Sequence, residues 1–370
     1  MTSLQRLPAS LTPLDVVLDA LLNGLEPVAP VEAAPGEALG CVAAEMPKHA
    51  AYPPQDVAAS DGFAFCARDL VGASSYSPLP LTLSPDWVEA GDAMPDGCDC
   101  VVDADSLDLS GPIAQIMAEA VPGQGVRRAG SDIAAGSVVA ALGQPIRPRD
   151  LLIARAAGLI ELRVRRPRLR IANVPGGTRA TDLIAENARQ AGAEVNVSEA
   201  TGRDAASIAS TLDAGGCDLL VVIGGSGVGR RDATVRALAE CGDVVAHGIA
   251  LQPGRTSAVG RIGRTPVIAL PGTPAEALAA WWTLALPVLD RLSGRQPREA
   301  LGLPLARKIA STVGLAEIVL LERKHGAWAT LAIGDLSLDA IARAEAWLVV
   351  PGNSEGFAAG ARVDANMLRE

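Results

Sequence analysis

The sequence predicts a mixed α/β and β, multidomain fold: a three-layer α/β domain on a parallel sheet, with β-rich modules before and after it. Three observations predict it. Between Arg168 and Gly294 apolar strand-like runs alternate with amphipathic helix-like runs, the pattern of a parallel sheet flanked by helices. From about Val31 to Gly130, and again after Gln296-Pro297, short apolar runs are broken by Pro, Gly and acidic turns, which reads as short strands. The 370 residues, 49% of them hydrophobic, exceed one compact core and fit about two to four domains.

Each element follows from local pattern. Leu14, Val17, Leu18, Leu21 and Leu22 share one helical face, Pro13 suits the first turn, and Thr12 is the expected cap. A second amphipathic helix is expected over Arg149–Ala157, stopped by Gly158. The run Arg163-Val164-Arg165-Arg166-Pro167-Arg168 reads as a polar junction, a solvated hinge between modules. Strands are expected at Leu169–Val174, Glu194–Ser198, Asp218–Ile223 and Pro266–Leu270. Helices are expected at Ala180–Ala191, Asp204–Ala214, Asp232–Cys241 and Thr273–Leu292. Leu219 to Ile223 shows no polar alternation, as in a strand covered on both faces. Beyond Pro297, Leu315–Glu322 and Ala327–Ile333 flank Lys324-His325-Gly326 as a hairpin, followed by a short helix near Ser337–Ala344 and a strand at Trp347–Val350.

Composition narrows the function. A net charge of −10 argues against a nucleic-acid surface, which needs a basic field, but permits a small anionic ligand in one pocket. With only 5 Trp, 3 Phe and 2 Tyr, the cores are built from Ala, Val, Leu and Ile. The 6 cysteines are spread thinly and form no disulfide framework, so a reducing cytoplasm is expected. With 3 histidines in all, Cys98-Asp99-Cys100 makes no zinc site. MTSLQRLPASLTPLD lacks a signal-peptide core, and the most apolar stretch, Ile268 to Leu289, is interrupted by Pro271, Gly272, Pro274, Glu276 and Pro287. A membrane span needs about 20 nearly uncharged residues, so no membrane association is expected.

Several loops have the composition of a binding site. Gly224-Gly225-Ser226-Gly227-Val228-Gly229-Arg230-Arg231-Asp232 follows the most apolar strand and precedes a helix, where glycines allow close backbone approach and free amides attract anions. It is neither a P-loop, since no Gly-Lys-Ser/Thr closes it, nor a dinucleotide fingerprint. Leu270-Pro271-Gly272-Thr273-Pro274 follows the last strand of the same sheet, and ligands of open α/β sheets bind beyond the carboxyl ends of the strands. Gln252-Pro253-Gly254-Arg255 is a third such turn, with Arg255 to supply charge. In the first half, Ser60-Asp61-Gly62-Phe63-Ala64 and Gly130-Ser131-Asp132-Ile133 each set an acid beside a glycine, ordinarily a turn.

The order of these pieces resembles the molybdopterin molybdenumtransferase family, the MoeA proteins and the gephyrin E domain. The resemblance runs over nearly the whole chain. Val31-Glu32 through Leu39-Gly40-Cys41-Val42-Ala43-Ala44-Glu45 is similar to the family's AlGRvLAed segment. Pro53-Pro54 with Ser60 to Ala64 is similar to P…SAMDGYA, Gly91 to Val102 to TGAPxPxGxDaVV, and Gly130 to Ile133 to GEDI. Gly224 to Asp232 resembles GGVSVGxxD, Pro253-Gly254-Arg255 resembles KPGKP, and Leu270 to Pro274 resembles LPGNP.

The resemblance implies insertion of molybdate-derived molybdenum into molybdopterin presented in adenylylated form, with Mg2+ as the divalent cation. It implies Asp61, Asp132 and Asp232 as catalytic acids, Asp61 and Asp232 also holding the cation. The pterin-nucleotide cradle falls on Gly224, Gly225, Ser226, Gly227, Gly229, Arg230, Arg255, Pro271, Gly272, Thr273 and Pro274. It further implies a homodimer, with the first-half acids facing the α/β domain of the other subunit, and a molybdoenzyme apoprotein as recipient. The modules implied are a discontinuous linking domain (1–43 and 133–165), a β-rich inserted domain (44–132), a MogA-like molybdopterin-binding α/β domain (166–296) and a C-terminal β-barrel-like domain (297–370).

The chain departs from the pattern in places. Ala90 stands for the threonine of TGAP, Ile223 and Gly227 for serines at and in the glycine loop, Gln252 and Arg255 for the lysines of KPGKP, and Thr273 for the asparagine of LPGNP. Where TGDEL is expected the chain reads Asn173-Val174-Pro175-Gly176-Gly177, without the acidic pair; Asp182 and Glu186 are the nearest acids after it. Two readings follow. Arg230, Arg231 and Arg255 take over anion binding in an active transferase, or the chain is a catalytically impaired paralogue, a carrier or scaffold for the cofactor or a partner enzyme.

Overall fold

The computed structural model describes residues 5–82 and 84–368. Met1–Leu4 at the head of the segment read for a leader, Leu83 in the turn-rich stretch after Tyr76, and Arg369 and Glu370 lie outside the described residues. Contacts divide the chain into two units, one of residues 1–45, 140–147 and 162–370, the other of residues 46–139 and 148–161.

The second unit is made of small antiparallel sheets. Gly62–Phe65 lies between Asp86–Val88 and Cys100–Val102, Gln115–Ala118 lies between Ser74–Pro80 and Leu107–Asp108, and Val57–Ala58 pairs with Val126–Arg127. The strands are short because turns interrupt every apolar run, and their cores are correspondingly small, one around Leu70, Cys100 and Ile116, another around Ala64, Val88 and Val101. The helix of this unit is Pro148–Ala156.

In the first unit the helix Leu14–Leu22 buries Val17 and Leu21, as its spacing requires. Its cap position is held by Pro13 with no side-chain hydrogen bond; Thr12 instead bridges to Ile249 through backbone hydrogen bonds to Gly248 and Ala250. The arginine-rich run is not a hinge. Leu162–Arg165 is the central strand of a three-stranded antiparallel sheet, between Val31–Ala33 and Val42–Glu45. Leu162 and Val164 point inward and are fully buried, while Arg163 points outward and pairs with Glu45 at 2.8 Å. Alternation with arginine hid a strand in what looked like a charge run.

The α/β part holds six strands: β1 (Arg168–Asn173), β2 (Glu194–Glu199), β3 (Leu219–Ile223), β4 (Asp243–His247), β5 (Ala258–Ile262) and β6 (Thr265–Leu270). Their order is β2-β1-β3-β6-β5-β4. β2, β1, β3 and β6 are parallel, but β5 is antiparallel to both β6 and β4, so the sheet is mixed rather than parallel throughout. Gly263-Arg264 joins β5 to β6 as a tight hairpin, which cannot produce a parallel pair. All of β3 is buried, sandwiched between one core that includes Ile184, Leu284 and Val288 and another that includes Ile208 and Leu238.

The helices differ from the sequence reading at two places. The one expected over Asp204–Ala214 ends at Ala209: Asp204 caps it by accepting from Ser207 N at 3.0 Å, and an Asp213 turn to Gly215 replaces its last turns. The one expected over Thr273–Leu292 runs from Pro274 to Ser293 but contains a π turn at Trp281–Ala285. Pro287 has no N–H to return to the preceding turn, and the Thr283 hydroxyl donates to Ala279 O at 2.8 Å; both loosen the ladder there.

The C-terminal strands form a mainly antiparallel sheet centred on Ala316–Lys324, Ala346–Val350, Arg362–Met367 and Ala300–Pro304, with Ala327–Ile333 on Ala316–Lys324 as a hairpin. His325 and Gly326 turn that hairpin with φ of 50° and 76°, the left-handed pair a two-residue turn demands. No closed barrel forms: among the described residues only an isolated bridge, Leu305 to Trp328, joins the two ends, without a continuous ladder. Trp347 stacks on Trp282 with centroids 5.2 Å apart, so this sheet shares a core with the α/β part.

Candidate functional site

The register of the sheet builds the site. Glu199 pairs with Asn173, Asn173 with Ile223, and Ile223 with Leu270, so β2, β1, β3 and β6 all end on one row. Ala200 N donates to Asn173 O, Val174 N to Ile223 O and Gly224 N to Leu270 O, each at 2.9 Å, which carries the alignment one residue beyond the strands. The loops leaving that row enclose a cleft of about 300 Å³ lined by Asn173, Gly176, Gly177, Arg203, Gly224, Gly225, Gly227, Asp232, Thr256, Pro271, Gly272, Thr273 and Glu276, among others.

The glycines have specific causes. A Cβ on Gly225, whose φ is +69°, would lie 2.5 Å from Thr234 Oγ1, the buried hydroxyl that donates to Gly224 O at 2.8 Å. A Cβ on Gly227 or Gly229 would lie 2.7 or 2.9 Å from Asp232 Oδ2. The loop is therefore glycine-rich partly so that its own acid can fold back onto it. Asp232 Oδ2 accepts from Gly229 N at 2.8 Å, and Oδ1 pairs with Arg203 Nη2 at 3.3 Å. The amides of Gly225, Gly227 and Gly272 donate to no acceptor among the described residues, so they are free for an anion. From the opposite wall, the Thr273 hydroxyl donates to Glu276 Oε2 at 2.6 Å and accepts from none of its own helix amides.

Most of the sequence-predicted cradle meets here: Gly224, Gly225, Gly227, Asp232, Pro271, Gly272 and Thr273 all line the cleft. Others do not. Ser226 is fully buried behind the loop, with its Oγ unpartnered and its carbonyl 3.0 Å from His247 Nε2. Gly229 serves Asp232 rather than the cavity, and Pro274 starts the helix behind Thr273. Arg230, Arg231 and Arg255 are exposed and contribute nothing to the lining. The cation of the cleft is Arg203, which sequence reasoning missed. It follows β2, whose carboxyl end belongs to the same row, so the sheet-edge rule that selected the glycine loop would have found it.

Asp61 and Asp132 belong to the second unit. Asp61 precedes the strand Gly62–Phe65, and its Oδ1 accepts from Ala90 N at 2.8 Å. Gly62 is a strand residue, not a turn glycine: a Cβ there would lie 2.5 Å from Val102 O of the neighbouring strand. Asp132 forms an ion pair with Arg127 and accepts from Ser131 Oγ at 3.3 Å.

Free backbone amides, a guanidinium and a carboxylate at the carboxyl ends of aligned strands define an α/β domain suited to an anionic ligand. Comparison with known proteins makes the class specific. Residues 12–158 match the MoeA N-terminal region (domain I and II), and residues 178–291 match the family described as "Probable molybdopterin binding domain". Molybdopterin molybdenumtransferase 2 of Mycobacterium tuberculosis is 31% identical over 293 residues, covering 67% of this chain and 69% of its own length. The molybdopterin molybdenumtransferase of Synechococcus elongatus is 24% identical over 360 residues, 85% of this chain and 89% of its own. The solved structure of the molybdopterin biosynthesis MoeA protein of Pyrococcus horikoshii has the same fold, with a TM-score of 0.70 at 23% identity over 98% of this chain and all of that one. The chain belongs to the molybdopterin molybdenumtransferase family.

Proposed function

We propose that the chain is a molybdopterin molybdenumtransferase of molybdenum cofactor biosynthesis, taking molybdenum from molybdate and inserting it into adenylylated molybdopterin. The observation that carries this reading is the cleft at the common strand row, with free amides at Gly225, Gly227 and Gly272 and a guanidinium at Arg203. Family membership supplies the pterin, and the cleft supplies what its phosphate needs: oriented donors in a fixed frame. Asp61, Asp132 and Asp232 are proposed as the catalytic acids, Asp232 from within the cleft and the other two from the second unit. A homodimer, a cytoplasmic location consistent with six free cysteines, the four-module division of the chain and a molybdoenzyme recipient complete the reading.

Within one chain the two acids implied for the divalent cation, Asp61 and Asp232, belong to different units. Among the described residues no group of three or more His, Cys, Asp or Glu side chains gathers. Both oxygens of Asp232 are already engaged. At the cleft the chain's own donors, the amides and Arg203, bind and orient the anion beside Asp232.

The test is a molybdate-insertion assay with adenylylated molybdopterin, run beside direct binding of that pterin. Turnover is the expected result. Tight binding without turnover would instead select the carrier or scaffold reading.

A further inference from the structure

The guanidinium of Arg203 is only partly used. One of its N–H groups donates to Pro175 O and another pairs with Asp232 at 3.3 Å, while Nε is buried and meets no acceptor among the described residues. An arginine held only for a surface ion pair gains little from it, and burying an unpaired N–H costs free energy. Its surroundings are shaped to keep it. A Cβ on Gly176 would lie 2.7 Å from Arg203 Nη1, so the Pro175-Gly176-Gly177 loop is open where the guanidinium rests. This is the loop that lacks the acidic pair the family pattern places there. Without that pair, the charged group that rests at this loop is Arg203.

Resting on the phosphate-binding reading of the cleft, we propose that Arg203 is its built-in cation, meeting the substrate's phosphate so that capture of that group needs no divalent metal ion. The planar fork of a guanidinium fits a phosphate with parallel N–H···O bonds, and the free amides of Gly225, Gly227 and Gly272 supply the remaining donors. Two acids, Asp232 and Glu276, share the cleft with Arg203, and each is hydrogen-bonded. Asp232 is matched by Arg203 itself and by Gly229 N–H, and Glu276 accepts from Thr273 in the first turn of its helix. Nothing is transferred in this step; Arg203 is a binding residue, and its contact with Asp232 keeps the fork oriented before the ligand arrives.

The experiment is calorimetric titration of the full chain with AMP, in EDTA and in excess Mg2+. Wild type is expected to bind equally in both. Arg203→Gln should bind about 10- to 100-fold more weakly in both, the value of one or two hydrogen bonds to a charged group. Arg203→Lys, which keeps the charge and loses the fork, should fall between them and serves if the glutamine variant does not fold. Binding that disappears in EDTA, or an Arg203 variant that folds and binds like wild type, overturns the proposal alone. A wild-type chain that binds AMP in neither buffer overturns the phosphate reading of the cleft, and this proposal with it.

Discussion

The two units use the same local element, an aspartate beside glycines, in different ways. In the second unit Asp61 accepts one amide at the entry to a strand, and Asp132 is tied to Arg127 on an exposed turn. In the α/β part Asp232 is held by the loop it closes and by an arginine from the loop after β2, and it faces a cavity. The difference is one of surroundings. A carboxylate in a cleft with free donors has somewhere to put a ligand, whereas an exposed one tied to a neighbouring loop or arginine already has a structural use. Function at Asp61 and Asp132 is thus an expectation of family membership, while Asp232 is supported also by its geometry.

The largest expected effect sharpens the α/β side of that contrast. Gly225→Val should remove AMP binding altogether, but it should also destabilise the fold by about 2 kcal/mol or more, since the new side chain meets Thr234 and the backbone needs a left-handed φ. A melting temperature equal to wild type would show that the loop yields more easily than its hydrogen bonds indicate.

Next are the acids themselves. Asp232→Asn should lower turnover by about 10²-fold with little change in AMP binding, because it takes charge from the reacting centre while the amide oxygen still accepts from Arg203. Asp61→Asn should cost about 10²-fold in turnover with little change in melting temperature, since asparagine still accepts from Ala90 N. Unchanged turnover at Asp61 would leave that residue a structural role only and break the analogy between the two units.

A smaller effect is expected at the rim. Gly272 has no strained φ, and a Cβ there approaches only Gly224 Cα, at 3.4 Å. Gly272→Ala should therefore keep the melting temperature and weaken AMP binding by about 10-fold, by crowding the amide cradle. Equal binding would move the phosphate away from this wall.

The smallest effect concerns acid stability. The hydroxyl and amide of Ser207 hold Asp204 below the ordinary 3.8, the Arg170 guanidinium does so for Asp213, and the Ala129 amide for Asp56. Carboxyls depressed in the folded state stabilise it above their unfolded pKa and lose that contribution as pH falls through the folded value. The melting temperature should be level through neutral pH and decline below about pH 4. A decline beginning near pH 6 would point to a different group.

The sequence alone determined four of the six strands of the α/β part, the places of its helices, the C-terminal hairpin and the glycine loop, because those depend on periodicity and on glycines with local causes; β4 and β5 were not read from it. Leu219 to Ile223 read as a buried strand and is one; Lys324-His325-Gly326 read as a hairpin turn and is one. The tertiary structure decided what depends on register and on partners distant in sequence. It made a strand of Leu162–Arg165, ran β5 against its neighbours, and left the C-terminal sheet unclosed. It also chose the cation: Arg230, Arg231 and Arg255 lie nearest the motifs in sequence, yet Arg203 reaches the cleft. β2 and β3 both pair in parallel with β1 and end on its row, so the loop after β2 opens beside the loop after β3, a proximity that sequence distance does not report.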